Sequence, residues 1–299
     1  MKIIGAGLSG LLAGALIPGS RIFERQASLP NNHGAILRFR SDKIGKALNI
    51  PFKKVRVTKA IWMDGAERQP SPYYQNLYSR KVTGKYTSRS ISNIDPCYRY
   101  IAPDDFISQL AERCEIIFAQ EFPRGVPAGG PVISTIPLPV MISELGMDQL
   151  VKYPLQFKRA PIWTRTLTFE DDVDLYQTIY FPDPTTRLYR ASFTGNKMIC
   201  EYTGNPDRSG GCVPIPEFGL EAAIAYEPEK TTKKQEFGKI VDIDTHIRHS
   251  LIQQLSTNRN IYSLGRYATW RNILLDDVFD DIHMIKDLIQ KDSYMRRLV

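Results

Sequence analysis

The sequence predicts an α/β fold in which a domain built on a parallel sheet with helices on its faces is joined to a smaller, antiparallel β-rich domain. Residues 1–24 have the pattern strand, glycine-rich turn, helix, strand. Strand and helix patterns of the same kind return at 98–139 and 256–299. Between them, residues 153–202 contain alternating or β-branched runs separated by turn signals, which is typical of an antiparallel sheet. The parallel part is therefore predicted to be discontinuous along the chain.

The first 24 residues carry the most specific pattern in the chain. Lys2 to Ile4 is a short apolar strand, and an apolar helical stretch runs from Leu11 to Ile17. A second strand, Arg21 to Phe23, ends on Glu24. Between the first strand and the helix, the glycines have the spacing G-x-G-x-x-G, at Gly5, Gly7 and Gly10.

This arrangement is typical of a dinucleotide site. Gly5 permits a tight turn, Gly7 lets the backbone approach a pyrophosphate, and Gly10 lets the helix pack close to the sheet. The helix N-terminus presents N–H groups to the phosphates. Glu24, nineteen positions after Gly5, would accept hydrogen bonds from ribose hydroxyls. The expected contacts here are Gly5, Gly7, Leu8, Ser9, Gly10, Glu24 and Arg25.

A secretory leader is the alternative for this stretch. Lys2 is a basic start, the run to Ile17 is apolar, and Ala13-Gly14-Ala15 supplies small residues. A cleaved leader has no need of a strand ending in an acid at the nucleotide spacing, so the dinucleotide site is favoured. The run is also too short and too rich in glycine to span a membrane.

Composition narrows the class of protein. With 299 residues, 42% hydrophobic and 24% charged, the chain is long enough for one large or two intimate globular domains. The net charge of +7 favours an anionic partner, such as a nucleotide, a phosphorylated sugar or nucleic acid. The four cysteines have no C-x-x-C spacing, which predicts reduced thiols and a cytoplasmic protein. No metal site is expected, because the four histidines offer no third ligand.

Three segments resemble a known family. The segment SLGRYATWRNILLDDVFDDI resembles the FAD-closing segment of UDP-galactopyranose mutases, where G-R-x-x-x-Y-R precedes an acidic helix start. WTRTLTFEDDVDLYQTIYFPD, followed by LYRASF, resembles that family's central sheet. VISTIPLP resembles the strand and turn beside the flavin in mutases and amine oxidases. The matching positions of the first segment are Gly265, Arg266, Thr269 and Arg271, with Trp270 in the aromatic position.

The resemblance implies a Rossmann-like FAD-binding domain made of residues 1–60, 98–139 and 256–299. A smaller antiparallel, β-rich substrate domain would comprise residues 61–97 and 140–255. FAD is the implied cofactor. Its further expected contacts are Thr135, Gly265, Arg266, Arg271, Leu275 and Asp276, where the start of the last helix would direct its dipole at the flavin.

The resemblance also implies candidate catalytic residues. Arg165 and Arg190 fall where the mutases carry site arginines, and they could form a clamp for an anionic substrate. His33 follows the ribose acid, where a loop faces the flavin in related folds. Each has an alternative: solvent-facing arginines for the pair and an ordinary loop histidine for His33. Arg266 could instead form a salt bridge with a C-terminal acid, and Asp276 could be a helix cap.

Five aromatic side chains leave two interpretations open. Aromatics at strand spacing can line a flavin face or fill the core. The residues concerned are Trp163, Trp270, Tyr176, Tyr180 and Tyr189.

The departures from the mutases shape the functional hypothesis. Asn31 and Asn32 stand where that family has a glycine pair, its substrate motif is not recognisable, and GAILRFRSDKIGKALNI resembles flavin monooxygenases. The first hypothesis is an amine oxidase-like FAD-dependent oxidoreductase acting on a small polar or anionic substrate. The alternatives are a mutase-like, flavin-dependent sugar isomerase and a flavoenzyme that tailors a nucleotide or nucleic acid. The expected partner is a small anionic or amine-bearing molecule. Nucleic acid is less favoured, no membrane contact is expected, and a homodimer stays open.

Overall fold

A computed structural model describes residues 1–29, 37–86, 91–123, 129–147, 157–170, 173–208, 211–221, 224–228 and 232–297, the last six through their backbone alone. The strands of the described chain are β1 (Lys2–Ile4), β2 (Arg21–Phe23), β3 (Arg38–Phe39), β4 (Lys53–Met63), β5 (Ala66–Arg68), β6 (Cys97–Ile101), β7 (Glu115–Ile117), β8 (Val132–Ser134), β9 (Arg159–Phe169), β10 (Leu175–Tyr180), β11 (Leu188–Gly195), β12 (Lys197–Tyr202), β13 (Tyr226–Pro228), β14 (Lys233–Ile240) and β15 (Ile261–Ser263). Its α-helices are α1 (Leu8–Leu16), α2 (Lys43–Leu48), α3 (Pro72–Thr83), α4 (Phe106–Ala111), α5 (Leu138–Glu144), α6 (Thr245–Arg259) and α7 (Leu275–Arg297).

The smaller sheet is parallel throughout. Its strand order is β15-β8-β1-β2-β7, and every neighbouring pair is parallel. Its central strand places Ile3 beside Ile22 and Ile133. These strands have continuous apolar runs, as expected for a parallel sheet buried on both faces.

Helices cover both faces of this sheet. Ile3 belongs to a core with α1, α2, α4 and α7, whereas Ile4 belongs to a core with α5 and α6. Because successive side chains of a strand point to opposite faces, the two groups of helices lie on opposite sides. The first 24 residues therefore form the predicted strand–turn–helix–strand unit.

The larger sheet has ten strands in the described part of the chain. Its order is β13-β9-β12-β11-β10-β4-β6-β3, with β14 also paired to β9 and β5 paired to β4. All pairs are antiparallel except β10 with β4. One face packs on a core that includes Leu167, Phe193, Met198 and Phe218. The opposite face borders the cavity described below.

Sheet membership differs in places from the segments expected for the two domains. Strands β4 and β6, expected mainly in the nucleotide domain, lie in the larger sheet. Helices α5 and α6, expected mainly in the substrate domain, pack against the parallel sheet. The domain boundaries themselves stay a prediction. Among the described helices, none is both long and apolar enough to cross a membrane.

Candidate functional site

The glycine-rich turn lies at the carboxyl edge of the parallel sheet. Gly5 leaves β1 with a φ of +93°, a conformation that favours glycine, and its N–H donates to the Phe23 carbonyl at 2.9 Å. A Cβ on Gly10 would overlap the carbonyl oxygen of Gly5, so α1 packs directly against the turn. A Cβ on Gly7 would meet nothing within 4 Å. The turn is thus closed where it meets the helix and open at Gly7.

Helix α1 begins at this open position. Gly7 is its N-cap, and no side chain caps the helix among the described residues. Uncapped N–H groups at a helix start are suited to an anion. Leu8 and Ser9, expected to contact the cofactor, occupy the first two positions of the helix.

Glu24 lies at the end of the neighbouring strand, buried beside the turn. Its Oε2 accepts a hydrogen bond from the Ala6 N–H at 2.7 Å, and its Oε1 accepts one from the Gln26 N–H at 2.9 Å. A carboxylate has about four lone-pair positions, so two more acceptor positions remain for ribose hydroxyls. Arg25, the next residue, is exposed.

Two adjacent strands bring further residues to the same edge. Thr135 follows β8, and its hydroxyl donates to the Ile4 carbonyl at 2.8 Å. Gly265 follows β15, where a Cβ would overlap the Ser9 hydroxyl at the start of α1. The residues expected at 5–10, 24, 135 and 265 are therefore brought together by four parallel strands. This constellation fits a dinucleotide: an open glycine, free helix N–H groups and a buried acid.

The first turn of α7 is bound to the loop that contains Arg40 and Ser41, and the Asp276 carboxylate makes these contacts. Asp276 is buried, and it accepts hydrogen bonds from the N–H groups of Arg40 and Ser41 at 3.1–3.2 Å and from the Ser41 hydroxyl at 3.3 Å. Arg40 also pairs with Asp277. Leu275 is the first residue of the helix. Asp276 therefore joins α7 to the segment before α2.

Arg271, expected to contact the cofactor, is paired with an acid of α7. Its guanidinium pairs with Asp281 and donates to the Thr269 hydroxyl at 3.1 Å. It also lines a small cavity between α6 and α7. The salt bridge with a C-terminal acid that was considered for Arg266 is thus made by Arg271.

A cavity of about 410 Å³ lies between the larger sheet and the segment that follows β15. Strands β3, β4, β6, β11 and β14 each contribute a cation to it, and the segment after β15 contributes Arg266, Tyr267 and Leu274. Among its described lining residues the one carboxylate is Glu201. The six cationic residues are Arg38, Lys59, Arg99, Arg190, Lys239 and Arg266. We call this the basic cavity. Its excess of positive charge attracts an anion.

A β-bulge sets the position of Arg190. The register of β11 against β12 shifts between Leu188 and Arg190, so that Tyr189 and Arg190 both reach Glu201. The Tyr189 hydroxyl donates to Glu201 Oε1 at 3.0 Å, and Arg190 Nε pairs with Oε2. Burial raises the pKa of Glu201, but Arg190, Lys239 and these hydrogen bonds outweigh it and lower the pKa to about 2. Glu201 is therefore ionised and orients Arg190 at the cavity wall.

Arg38 lies beside Arg190 without a carboxylate partner among its described contacts. Its guanidinium donates to the hydroxyls of Thr178 at 2.8 Å and Thr194 at 2.7 Å, and also to the Phe193 carbonyl. Burial and the neighbouring Arg190 lower the pKa of Arg38 to about 10, so it is charged at neutral pH. A half-buried cation whose described hydrogen-bond partners are all neutral is a favourable place for a ligand's anion.

Arg165 does not join Arg190 in the expected clamp. Arg165 is opposite Cys200 in the ladder of β9 and β12, whereas Thr164, which lines the cavity, is opposite Glu201. Alternation along a strand therefore puts Arg165 on the other face of the sheet. There it pairs with Asp207 at 2.6 Å. His33 lies outside the described residues.

Arg266 faces the cavity with neutral hydrogen-bond acceptors. Its Nη2 donates to Asn272 Oδ1 at 3.2 Å and to the Gly238 carbonyl at 3.4 Å. The five aromatics lie in different surroundings, and only some of them fill a core. Tyr180 lines the cavity, Trp270 and Tyr189 are buried in cores, Trp163 packs at the edge of the core on the opposite face, and Tyr176 lies beside Lys53.

Four of the six cavity cations were not predicted from the sequence. They are Arg38, Lys59, Arg99 and Lys239. The pairs Val57/Lys59 and Cys97/Arg99 each line the cavity with period-2 spacing, so strand alternation was the available signal. Lys239 lies on β14, in a segment that was not predicted as a strand.

The comparisons with known proteins give the fold. No protein-family model matches the chain, and no curated protein matches its sequence. A crystal structure of reduced UDP-galactopyranose mutase is similar, with a TM-score of 0.69 at 12% identity over 97% of this chain and 93% of that one. A fatty acid isomerase from P. acnes that produces CLA has a TM-score of 0.59 at 12% identity, over 97% of each chain.

A third similar structure contains the cofactor. It is a ternary complex of aklavinone-11 hydroxylase with FAD and aklavinone, with a TM-score of 0.53 at 11% identity, over 96% of this chain and 61% of that one. The chain therefore shares the Rossmann-type α/β fold of these structures, which confirms the predicted fold class.

Proposed function

We propose that this chain is an FAD-dependent flavoenzyme that acts on a small anionic substrate. The observation that carries the proposal is the cavity of about 410 Å³, where the larger sheet meets the segment after β15. That segment begins at Gly265, which packs on the start of α1 beside the glycine turn. A cavity that adjoins a dinucleotide site is the expected place for a substrate.

Residues of the glycine turn would hold the cofactor. The N–H groups at the start of α1 would bind the pyrophosphate beside Gly7, and Glu24 would accept hydrogen bonds from a ribose. Thr135 and Gly265 would border the same site. FAD, when bound, supplies the redox or covalent chemistry of the ring system. The protein's part is to bind, to orient and to exclude water.

The charges of the cavity favour an anionic substrate over an amine. Six cations and one carboxylate leave an excess of five positive charges, which would repel a protonated amine and attract a phosphate or carboxylate. Arg38 and Arg190 are the best candidates to bind the anion. The described partners of Arg38 are neutral, and Glu201 orients Arg190. The same reasoning favours a small molecule over a nucleic acid, since the charge is gathered within a cavity of small-ligand size.

A sugar isomerase without net redox change is the second candidate. The similarity to UDP-galactopyranose mutase over most of both chains favours it. Anaerobic mixing of the FAD-loaded protein with a substrate separates the two candidates. An oxidoreductase reduces its flavin with substrate, whereas an isomerase of this kind turns over only after the flavin has been reduced beforehand.

The anion site is tested by titrating the FAD-loaded protein with UDP while following the flavin absorbance. We expect Arg38→Gln and Lys59→Gln to weaken UDP binding roughly ten- to a hundredfold, since each removes a charge-assisted contact of about 1.5–3 kcal/mol. Arg165→Gln is the matched control, because Arg165 lies on the opposite face of the same sheet. Equal affinity in all four proteins, or loss in the control alone, would contradict the assignment.

A further inference from the structure

A second cavity lies at the edge of the parallel sheet, between α6 and α7. Its volume is about 210 Å³, and one face of each helix lines it together with β15. Most of its surface is apolar, with Ile252 on α6 and Met284, Ile285 and Leu288 on α7. Met284 and Leu288 are about half exposed, at 54% and 44%, which places them at its rim. None of its lining residues belongs to the basic cavity.

The polar end of this cavity has one positive charge in excess. Two guanidinium groups, Arg248 and Arg271, lie there with a single carboxylate, Asp281. Asp281 pairs with Arg271, so these two charges balance each other and the charge of Arg248 remains. Asp242 also attracts Arg248, but it does not line the cavity. The Asp242 carboxylate is exposed and accepts a hydrogen bond from the Asn272 side chain at 3.1 Å. A ligand with one negative charge would complete the balance.

Arg248 also has hydrogen-bonding capacity to spare. Its Nε is buried and has no hydrogen-bond partner among the described residues. The side-chain contact recorded for its guanidinium is with the neighbouring His249, between Nη2 and Nε2 at 3.3 Å. An unsatisfied buried donor costs about 1–3 kcal/mol, so a small rotation that brings the guanidinium to a ligand acceptor is favoured.

The size and shape of the cavity limit the ligand further. An apolar protein cavity of about 150 Å³ is large enough for benzene. A cavity of about 210 Å³ therefore has room for a benzene ring with one small substituent. Its apolar walls suit the ring, and its cationic end suits a carboxylate.

We propose that the cavity between α6 and α7 binds a small aromatic monocarboxylate, with its ring against Ile252, Ile285 and Leu288 and its carboxylate at Arg248. This site is independent of the proposed flavin chemistry, because the two cavities share no residue.

Benzoate is the probe, measured by calorimetric titration of the full chain loaded with FAD. We expect Arg248→Gln to weaken benzoate binding at least tenfold, and we expect benzamide, which has the same shape without the charge, to bind at least tenfold more weakly than benzoate. The basic cavity is the alternative location for this anion. Titration of Arg38→Gln separates the two locations: benzoate binding that is kept in Arg38→Gln and lost in Arg248→Gln belongs to the cavity between α6 and α7.

Two substitutions at exposed positions, one at the rim and one outside the lining, test the location without disturbing the core. Leu288→Glu puts a negative charge at the mouth of the cavity and is expected to weaken benzoate binding. Ile247→Glu makes the same change at a comparably exposed position outside the lining, and it is expected to have no effect. Absence of benzoate binding, equal binding of benzamide, or loss in Arg38→Gln with retention in Arg248→Gln would each overturn the proposal.

Discussion

Glu201 shows how a single buried acid organises a cationic wall. Both of its oxygens are engaged by neighbours on one strand, Tyr189 and Arg190, because a bulge turns both side chains to the same side. Arg190 uses its Nε–H group for Glu201, and its guanidinium also lines the cavity, where it can bind a ligand. The acid therefore acts by positioning Arg190 and by offsetting part of the positive charge around it.

The depressed pKa of Glu201 predicts an acid-dependent loss of stability. Its pKa is about 2 in the folded protein, against 4.5 for the free group. A group with a lowered folded pKa stabilises the fold above its unfolded pKa, and this stabilisation is lost as the pH falls from about 4.5 to 2. This lowering of the pKa corresponds to a contribution on the order of 3 kcal/mol to the free energy of unfolding.

Urea unfolding of the wild type and of Glu201→Gln at a series of pH values measures this contribution. At neutral pH the variant is expected to be less stable by about 3–5 kcal/mol, because Arg190 then lacks its partner. The difference between the two proteins should shrink as the pH falls to 2. A difference that stays constant with pH would contradict the ionised pair.

At the scale of single residues, local spacing predicted the glycine turn well. Gly5, Gly7, Gly10 and Glu24 lie together because they belong to one strand–turn–helix–strand unit. Five of the six cavity cations come from five separate strands, and their meeting depends on strand pairing that the sequence does not display. The Arg165 clamp failed for this reason: strand register and one bulge decide which face a side chain takes.

At the scale of elements, the turn before α1 combines a structural and a ligand-facing glycine. Gly10→Ala would press its methyl group into the carbonyl of Gly5. We expect a loss of about 1–3 kcal/mol, or roughly 2–12 °C in Tm. Gly7→Ala meets no neighbour, at a φ of −70° that alanine adopts freely, and should cost less than about 1 kcal/mol.

Binding separates these two variants further. The Gly7→Ala methyl group would occupy the open approach to the helix N-terminus, so FAD affinity should fall at least tenfold while the apo protein keeps its Tm. Thermal unfolding without FAD and a fluorescence titration with FAD measure the two quantities. Unchanged FAD affinity in Gly7→Ala would show that the cofactor does not approach at this turn.

The elements that the sequence analysis missed share a physical cause. Helix α3 is rich in tyrosine and polar residues, so its apolar periodicity is weak, although Ser71 caps it and Gly84 ends it. Helix α5 begins between two prolines, Pro137 and Pro139, which suggested a turn. Strand β14 is highly charged and is held by pairing with β9. In each case tertiary contacts override a weak local signal.

At the scale of the whole molecule, the fold places two kinds of surface side by side. The parallel sheet ends in an open glycine turn, and the larger sheet presents a cationic face next to the segment that packs on that turn. A dinucleotide at the first and an anion at the second would share the segment that begins at Gly265. The chain has a net charge of +7, and the lining of the basic cavity is one place where cations outnumber carboxylates and can attract a ligand.

The central claim is that the chain binds FAD at the carboxyl edge of its parallel sheet. The most direct measurement is the absorbance spectrum of the purified protein mixed with FAD and freed of unbound cofactor, before and after dithionite. The account predicts a two-band flavin spectrum that bleaches on reduction. A protein that retains no flavin from excess FAD would contradict the account, and the glycine turn would then require another nucleotide or none.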